Sequence, residues 1–326
     1  MIKIILITVS LTTLLMAKYT NCTFQNKNYS DICEKAVEGG VTYKYANQFL
    51  LSYFKTKKYD EVSWKYLQPR EIKKHRASEK KANNALVKYV PQIVKNLKEY
   101  KEVYDYAEKK YGVNREIIAA ILLKETRLGK IKPKHDAFGV FNTIVTRVKT
   151  ETSREKWLMK MGKTNMTAII KYCYKKGVVP EQCNIPSSYA GAVGIPQFMP
   201  NSFIHAKSYK SEISDLTKME DAIVSAANFL HKNAKFKTLI KWENMPDIPK
   251  IEDEWYKYEA SHKESSFVYE KSKRGKVYNC FSKDKPELGY LSGYVKKIMR
   301  YNNSSNYSVG VLRLAYDANL ALMHKN

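Results

Sequence analysis

The chain has 326 residues and carries 57 Lys and Arg against 32 Asp and Glu, a formal charge of +25. That length suits one large domain with insertions or two modest ones. Apolar residues at 44% and 25 tyrosines exclude a charge-rich, aromatic-poor disordered chain, and only 13 Gly and 10 Pro exclude collagen-like and low-complexity classes.

The first residues place Lys3 ahead of an apolar run from Ile4 to Ala17, the n-region and h-region of a secretory signal. The run is shorter than the roughly 20 residues a bilayer span needs. Cleavage after Ala17 fits the preference for a small residue there, so residues 1–17 are expected to be a signal peptide and the mature protein periplasmic. Tyr19, Thr20 and Asn21 ahead of Cys22 lack the small apolar residues of a lipid-modified cysteine, which argues against lipid anchoring.

Export puts the five cysteines in an oxidising compartment. The short-range pairs Cys22 with Cys33 and Cys173 with Cys183 are the natural disulfides, with Cys280 left over, although spacing alone does not fix the pairing. No C-x-x-C occurs and no histidine stands at ligand spacing from a cysteine pair, so a metal site is the weaker alternative. An exported, strongly basic protein meets anionic wall polymer, phospholipid headgroups or extracellular nucleic acid. Lysines that simply face solvent would give the same charge.

In chain order, residues 18–110 read as a helical region, its part from 31 onward as charged amphipathic helices punctuated by Pro69 and Pro91. The segment Tyr111 to Gly129, YGVNREIIAAILLKETRLG, opens a core expected over 111–240. Asn114 is the expected N-cap and Gly129 the expected C-cap. Between them Ile118, Ile121, Leu122 and Glu125 share one helical face, which sets a carboxylate in line with an aliphatic stripe. Burying an ionised Glu costs several kcal/mol unless a cation pairs with it or its pKa rises. Its nearest cations in sequence, Lys124 and Arg127, point elsewhere around the helix. A glutamate with a raised pKa is what a general acid for glycosidic cleavage requires.

Residues 187–203, SSYAGAVGIPQFMPNSF, contain Gly191, Gly194, Pro196 and Pro200 and read as a shaped loop. Ser188, Tyr189 and Gln197 supply polar groups that could hydrogen-bond sugar hydroxyls or N-acetyl amides. Thr217 and Glu220 have the spacing of a capping box ahead of a second amphipathic helix carrying Met219, Ala222, Ile223, Ala226 and Leu230. From 241 to 290 the chain turns loop-rich and charged, a two-stranded excursion in a helical body, before residues 291–326 return to the core.

Taken together, YGVNREIIAAILLKETRLG at 111–129, SSYAGAVGIPQFMPNSF at 187–203, MEDAIVSAANFLHKN at 219–233 and YNNSSNYSVGVLRLA at 301–315 resemble, in order, the blocks of the family 3 lytic transglycosylases. The resemblance implies a mainly α, lysozyme-like catalytic domain; residues 241–290, which match the family poorly, are read from their own pattern as a small loop-rich or β accessory lobe. The resemblance also implies cleavage of the MurNAc to GlcNAc bond of peptidoglycan without water, leaving a 1,6-anhydro-MurNAc end. Carried over by motif, the catalytic glutamate is Glu125, and Ser188, Gln197, Tyr301 and Asn302 line the glycan cleft. One carboxyl serves both steps, so Asp136, Glu220 and Asp221 read as helix-end or surface acids. The expected partner is the peptidoglycan glycan strand, with peripheral association with wall or membrane and no nucleic acid, for which no binding motif is present. No cofactor is implied. Some members carry a calcium loop after Q-F-M-P, but KSYKSEISDLTKMED lacks a D-x-D-x-D-G pattern, so no metal is expected. A hydrolytic muramidase and a non-catalytic basic wall-binding protein are the competing readings.

Overall fold

The computed structural model describes residues 21–56, 59–261, 270–271, 277–278 and 289–324. The expected signal peptide and Cys280 lie outside the described residues. In chain order run α1 (Lys27–Glu38), α2 (Tyr43–Thr56), α3 (Glu61–Tyr66), α4 (Pro69–Val87), α5 (Val90–Glu99), α6 (Lys101–Tyr111) and α7 (Arg115–Thr126). The strand β1 (His135–Asp136), α8 (Ala137–Arg147), α9 (Ser153–Lys175) and β2 (Pro186–Ser187) follow. Then come α10 (Met219–Asn233), α11 (Ile248–Ser261), β3 (Glu270–Lys271), β4 (Val277–Tyr278), α12 (Gly289–Ile298) and α13 (Ser305–Met323). The fold is mainly α, and Pro69 and Pro91 both stand in the first turn of a helix, where a missing N–H costs nothing. Among the described residues no helix is long and apolar enough to cross a membrane.

The chain divides into two compact units. The first comprises the described residues up to Glu71 with Pro133–Val193 and Gln197–Ile204, and the second comprises Ile72–Lys132, Gly194–Pro196 and the described residues from His205.

In the first unit, α9 starts at a reciprocal cap. The Thr152 hydroxyl accepts from the Glu155 N–H, and the Glu155 carboxylate accepts from the Thr152 N–H. Asp136 caps α8 through the Gly139 N–H, so it is a helix-end acid as expected. The apolar faces of α1, α2, α8 and α9 meet around Tyr29, Phe49, Phe138, Phe141 and Ile170, each contributing about 1.5–3 kcal/mol on burial. Both short-range disulfides form. Cys22 to Cys33 ties the chain ahead of α1 to that helix, and Cys173 to Cys183 ties the end of α9 to the loop beyond it. Loops this short give roughly 2–3 kcal/mol each by restricting the unfolded chain. The antiparallel pair β1 and β2 sets His135 opposite Ser187, at the threshold of the Gly/Pro loop.

In the second unit, α7 is enclosed by α5, α6, α10 and α13. Ile118, Ile121 and Leu122 are fully buried as the stripe predicts, but so are Ile117, Ala119, Ala120 and Leu123, because neighbours cover the helix on every side. Asn114 stands at its N-cap without a side-chain cap. Its amide bridges instead to the backbone of Ile240, donating to the carbonyl at 3.1 Å and accepting from the N–H at 2.6 Å.

Two local expectations are corrected here. Glu252 to Tyr258 fall in a helix, not in a loop: Ile248, Glu252, Trp255 and Tyr256 recur at helical spacing, and all four are buried against the core. Beyond α11, β3 and β4 pair antiparallel, the two-stranded element expected. The capping box at Thr217 and Glu220 does not form either. Lys218 holds the N-cap of α10, while the Thr217 hydroxyl donates to Asp215 at 2.6 Å, a nearer acceptor.

Candidate active site

Helix α7 ends one residue after Glu125, and its ending positions that carboxylate. Arg127, Leu128 and Gly129 follow with φ of 50, 56 and 78°, three successive left-handed residues. Gly129 is therefore not the C-cap; Arg127 occupies that position. Two non-glycine residues hold this strained conformation because the turn is bonded from several sides. The N–H groups of Arg127 and Leu128 return to the Leu123 and Leu122 carbonyls. The Thr126 hydroxyl accepts from the Gly129 N–H at 3.1 Å and donates to the Ile195 carbonyl at 3.0 Å. Gly194, just before that carbonyl, has φ of 73° and packs so close to Leu216 that a Cβ would collide with it.

Glu125 is half-buried. The Tyr307 hydroxyl donates to its Oε1 at 2.6 Å. Burial pushes the carboxyl from its ordinary 4.5 up to about 7, while the Tyr307 hydrogen bond and the Lys124 charge oppose that rise and Glu79 adds to it. Neither cation near it in sequence pairs with it directly. The Arg127 guanidinium lies over the Tyr89 ring, 4.9 Å from its centroid, and the Lys124 ammonium donates to Asn83 Oδ1. Among the described residues Glu125 has no ion-pair partner.

Tyr301 joins this group from the turn ahead of α13. Its hydroxyl donates to the Pro196 carbonyl at 2.5 Å, and its ring meets Phe229 edge-on at 5.0 Å. Burial, then the Glu125 charge, pushes both Tyr301 and Tyr307 well above the ordinary phenol range, so both remain protonated donors at neutral pH. Asn302 is exposed, its backbone closing the turn by accepting from the Ser304 N–H at 2.7 Å. Ser308 Oγ and Tyr307 N–H bond back to Ser304, which N-caps α13 and so sets the rotation that aims Tyr307 at Glu125.

Ser188 and Gln197 belong to the first unit. The Ser188 hydroxyl accepts from the Ala192 N–H at 3.2 Å while its own N–H donates to the Ala192 carbonyl at 2.8 Å, a clamp around the Tyr189–Gly191 turn. Gly191, at φ of 80°, leaves no room for a Cβ beside the Phe141 ring. Gln197 is half-buried with φ of 51°, at the tip of the turn closed by Val193 and Phe198. The stretch is the shaped loop that its glycines and prolines foretell. The Tyr189 ring meets that of Tyr66 at 4.7 Å between centroids, tilted by 36°.

The loop after Q-F-M-P in the second unit does not fit a calcium ion. The buried Asp221 carboxylate accepts from Ser208 Oγ and the N–H groups of Tyr209 and Asp215, and Asp215 accepts from Thr217. The loop thus folds on its own donors. No group of three or more His, Cys, Asp or Glu that could hold a metal occurs among the described residues.

Tyr307 and Glu79 are the residues of this site that sequence reasoning missed, and Lys124, weighed there only as an ion-pair partner, lies over the Tyr307 ring. Tyr307 lies in a block already singled out, six positions beyond Tyr301, so a second tyrosine in that block was the available signal. Nothing in the sequence marks Glu79.

Solved structures of similar fold include Escherichia coli lytic transglycosylase Slt35, in complex with bulgecin A and in complex with calcium. Its TM-scores are 0.61 and 0.62 at 18% identity, covering 92% of this chain and 95% of that one. Soluble lytic transglycosylase SltB1 from Pseudomonas aeruginosa matches with a TM-score of 0.55 at 18% identity, covering 90% of this chain and 99% of that one. SltB3 from the same organism, in complex with NAG-anhNAM-pentapeptide, matches at 0.52 and 16% identity, covering 88% and 77%. No curated protein sequence is similar enough to match. The family model described as transglycosylase SLT domain matches residues 25–316, nearly the whole described chain, and the chain belongs to that family.

Proposed function

We propose that this chain is a peptidoglycan lytic transglycosylase in which Glu125 is the sole acid-base group. The observation that carries the reading is a half-buried carboxyl with a pKa pushed up to about 7, held by a protonated phenol at 2.6 Å and, among the described residues, without a directly paired cation. Such a group exists in both protonation states near neutral pH, which a two-step mechanism on one carboxyl requires. In the first step protonated Glu125 gives its proton to the glycosidic oxygen as the bond to MurNAc C1 breaks, and the GlcNAc side leaves as an alcohol. In the second, Glu125 carboxylate takes the proton from the muramyl C6 hydroxyl as that oxygen bonds C1. Glu125 returns to its starting form, no water is consumed, and the product end is 1,6-anhydro-MurNAc. The Tyr307 hydrogen bond steadies the carboxylate between the two steps.

Ser188, Gln197, Tyr301 and Asn302 are assigned to glycan binding by motif. Their chemistry supports that role, since amide and hydroxyl groups on tight turns suit sugar hydroxyls and N-acetyl groups. The P. aeruginosa SltB3 complex with NAG-anhNAM-pentapeptide favours the same substrate class. Export by residues 1–17 would deliver the protein to the periplasm, where the substrate lies, and the excess of basic residues would favour its carboxylate-bearing wall polymer. Turnover of purified peptidoglycan by Glu125→Gln is the test: loss of a hundred- to ten-thousand-fold or more supports the assignment. Near-normal turnover by folded Glu125→Gln removes Glu125 from the mechanism.

A further inference from the structure

Lys124 takes no part in the chemistry just described, yet its side chain is only 7% exposed and points into the second unit. Its Nζ donates to Asn83 Oδ1, lies 3.9 Å from Glu79 Oε1 and sits 4.8 Å from the centroid of the Tyr307 ring. The partners are themselves anchored. Asn83 donates to the Tyr256 hydroxyl at 2.6 Å and to the Asn306 carbonyl at 2.8 Å, and Ser304 Oγ donates to Glu79 Oε2 at 2.6 Å. Tyr256 in turn donates to Glu252, which also accepts from Arg313. Gly310 makes this arrangement sterically feasible, because a Cβ there would collide with Asn83.

Burying an ammonium carries a desolvation cost, and a buried ion pair in general adds little net stability. The ammonium therefore calls for a role. It stands on the face of the Tyr307 ring, whose hydroxyl donates to Glu125. A cation on that face is attracted by the ring's electron density and draws it away from the phenol oxygen. The hydroxyl becomes a stronger donor, and the ammonium's own field also favours negative charge on Glu125.

We propose that Lys124, fixed by Asn83 and Glu79, is a positioning residue that acts through the Tyr307 ring to stabilise the carboxylate form of Glu125. This rests on the reading of Glu125 as the acid-base group. The titratable groups facing Glu125 are Tyr307 and Tyr301 from the C-terminal block, Lys124 on its own helix and Glu79 from α4. Those facing Lys124 are Glu79, Glu125 and Glu252, all acidic, and they resist the lowering of its pKa that burial causes. Among the charges that act on Glu125, Lys124 lowers its pKa and Glu79 raises it, so a neutral residue at 124 leaves the carboxyl harder to ionise.

The test is the pH profile of peptidoglycan turnover in Lys124→Met, Lys124→Arg and Glu125→Gln. Activity depends on protonated Glu125 and falls on the alkaline side as that group ionises. Lys124→Met should move the alkaline limb to higher pH by about one unit, and Lys124→Arg, which keeps the charge, should leave it near the wild-type position. A purely structural lysine would change melting temperature and active fraction without moving the limb. An unmoved limb in Lys124→Met, with Glu125→Gln inactive, overturns this inference and leaves the catalytic assignment standing. An active Glu125→Gln overturns that assignment instead. Should Lys124→Met fail to fold, Lys124→Gln reads the same shift. In the wild type, moreover, the ammonium nitrogen resonance of Lys124 should move over the pH range in which activity is lost. A resonance flat across that range overturns the inference.

Discussion

Replacing Glu125 by Gln should stabilise the protein at alkaline pH while removing its activity. The folded-state carboxyl titrates at about 7 against an ordinary value of 4.5. Folding therefore raises its proton affinity. Below the ordinary value the group is neutral in both folded and unfolded chains and exacts no penalty. Between that value and 7 the unfolded chain ionises first, so stability falls as pH rises, and above 7 the full penalty is present. Each unit of difference is worth 1.36 kcal/mol, which sets the penalty at about 3 kcal/mol as an order of magnitude. Glutamine is neutral throughout, close to glutamate in volume, and can accept the Tyr307 hydroxyl through its carbonyl. Glu125→Gln should thus match the wild type at pH 4 and exceed it at pH 8–9 by up to that amount, a rise of several degrees in Tm. Denaturation curves at the two pH values, with turnover on the same preparations, read both effects. A Glu125→Gln variant less stable than wild type at pH 8–9 would show a paired, structural carboxylate and refute the reasoning.

Tyr307→Phe removes the donor at Oε1. A hydrogen bond to a charged group is worth about 1.5–3 kcal/mol, so the carboxyl should ionise later and the alkaline limb of the activity profile should move up by about one unit or more; an unmoved limb would remove this bond from the control of Glu125. Gly310→Ala places a methyl group against Asn83 and should destabilise by about 1–3 kcal/mol in denaturant unfolding. Binding to peptidoglycan should weaken as salt rises, because the Debye length shrinks from about 10 Å at 0.1 M to about 3 Å at 1 M. Sedimentation of the inactive variant with wall polymer across a salt series checks this, and unchanged binding would make the basic surface incidental.

The placement of Glu125 beside buried Ile118, Ile121 and Leu122 was legible because a carboxylate falls in line with an aliphatic stripe, although the helix is apolar on its other sides too. The ends of that helix were less so. The residues Asn114 and Gly129 have the chemistry of caps, but tertiary partners claimed the Asn114 amide, and Thr126 with the Ile195 carbonyl tightened the turn before Gly129 was reached. A local acceptor likewise broke the box at Thr217. Helix α11 hid behind Pro246 and Pro249, although Ile248, Glu252, Trp255 and Tyr256 carry a helical period. Tyr307 lies 182 positions from Glu125, and Asn83 lies 41 from Lys124. Such pairings arise only when distant segments bring these side chains to α7, and no local pattern encodes them.

The central claim, that one carboxyl expels the leaving sugar and then activates the muramyl hydroxyl, is tested most directly by the masses of fragments released from purified peptidoglycan. The account predicts muropeptides ending in 1,6-anhydro-MurNAc, each lighter by one water than the corresponding reducing-end fragment. Reducing ends as the dominant product would mean that water attacks C1 and would contradict it.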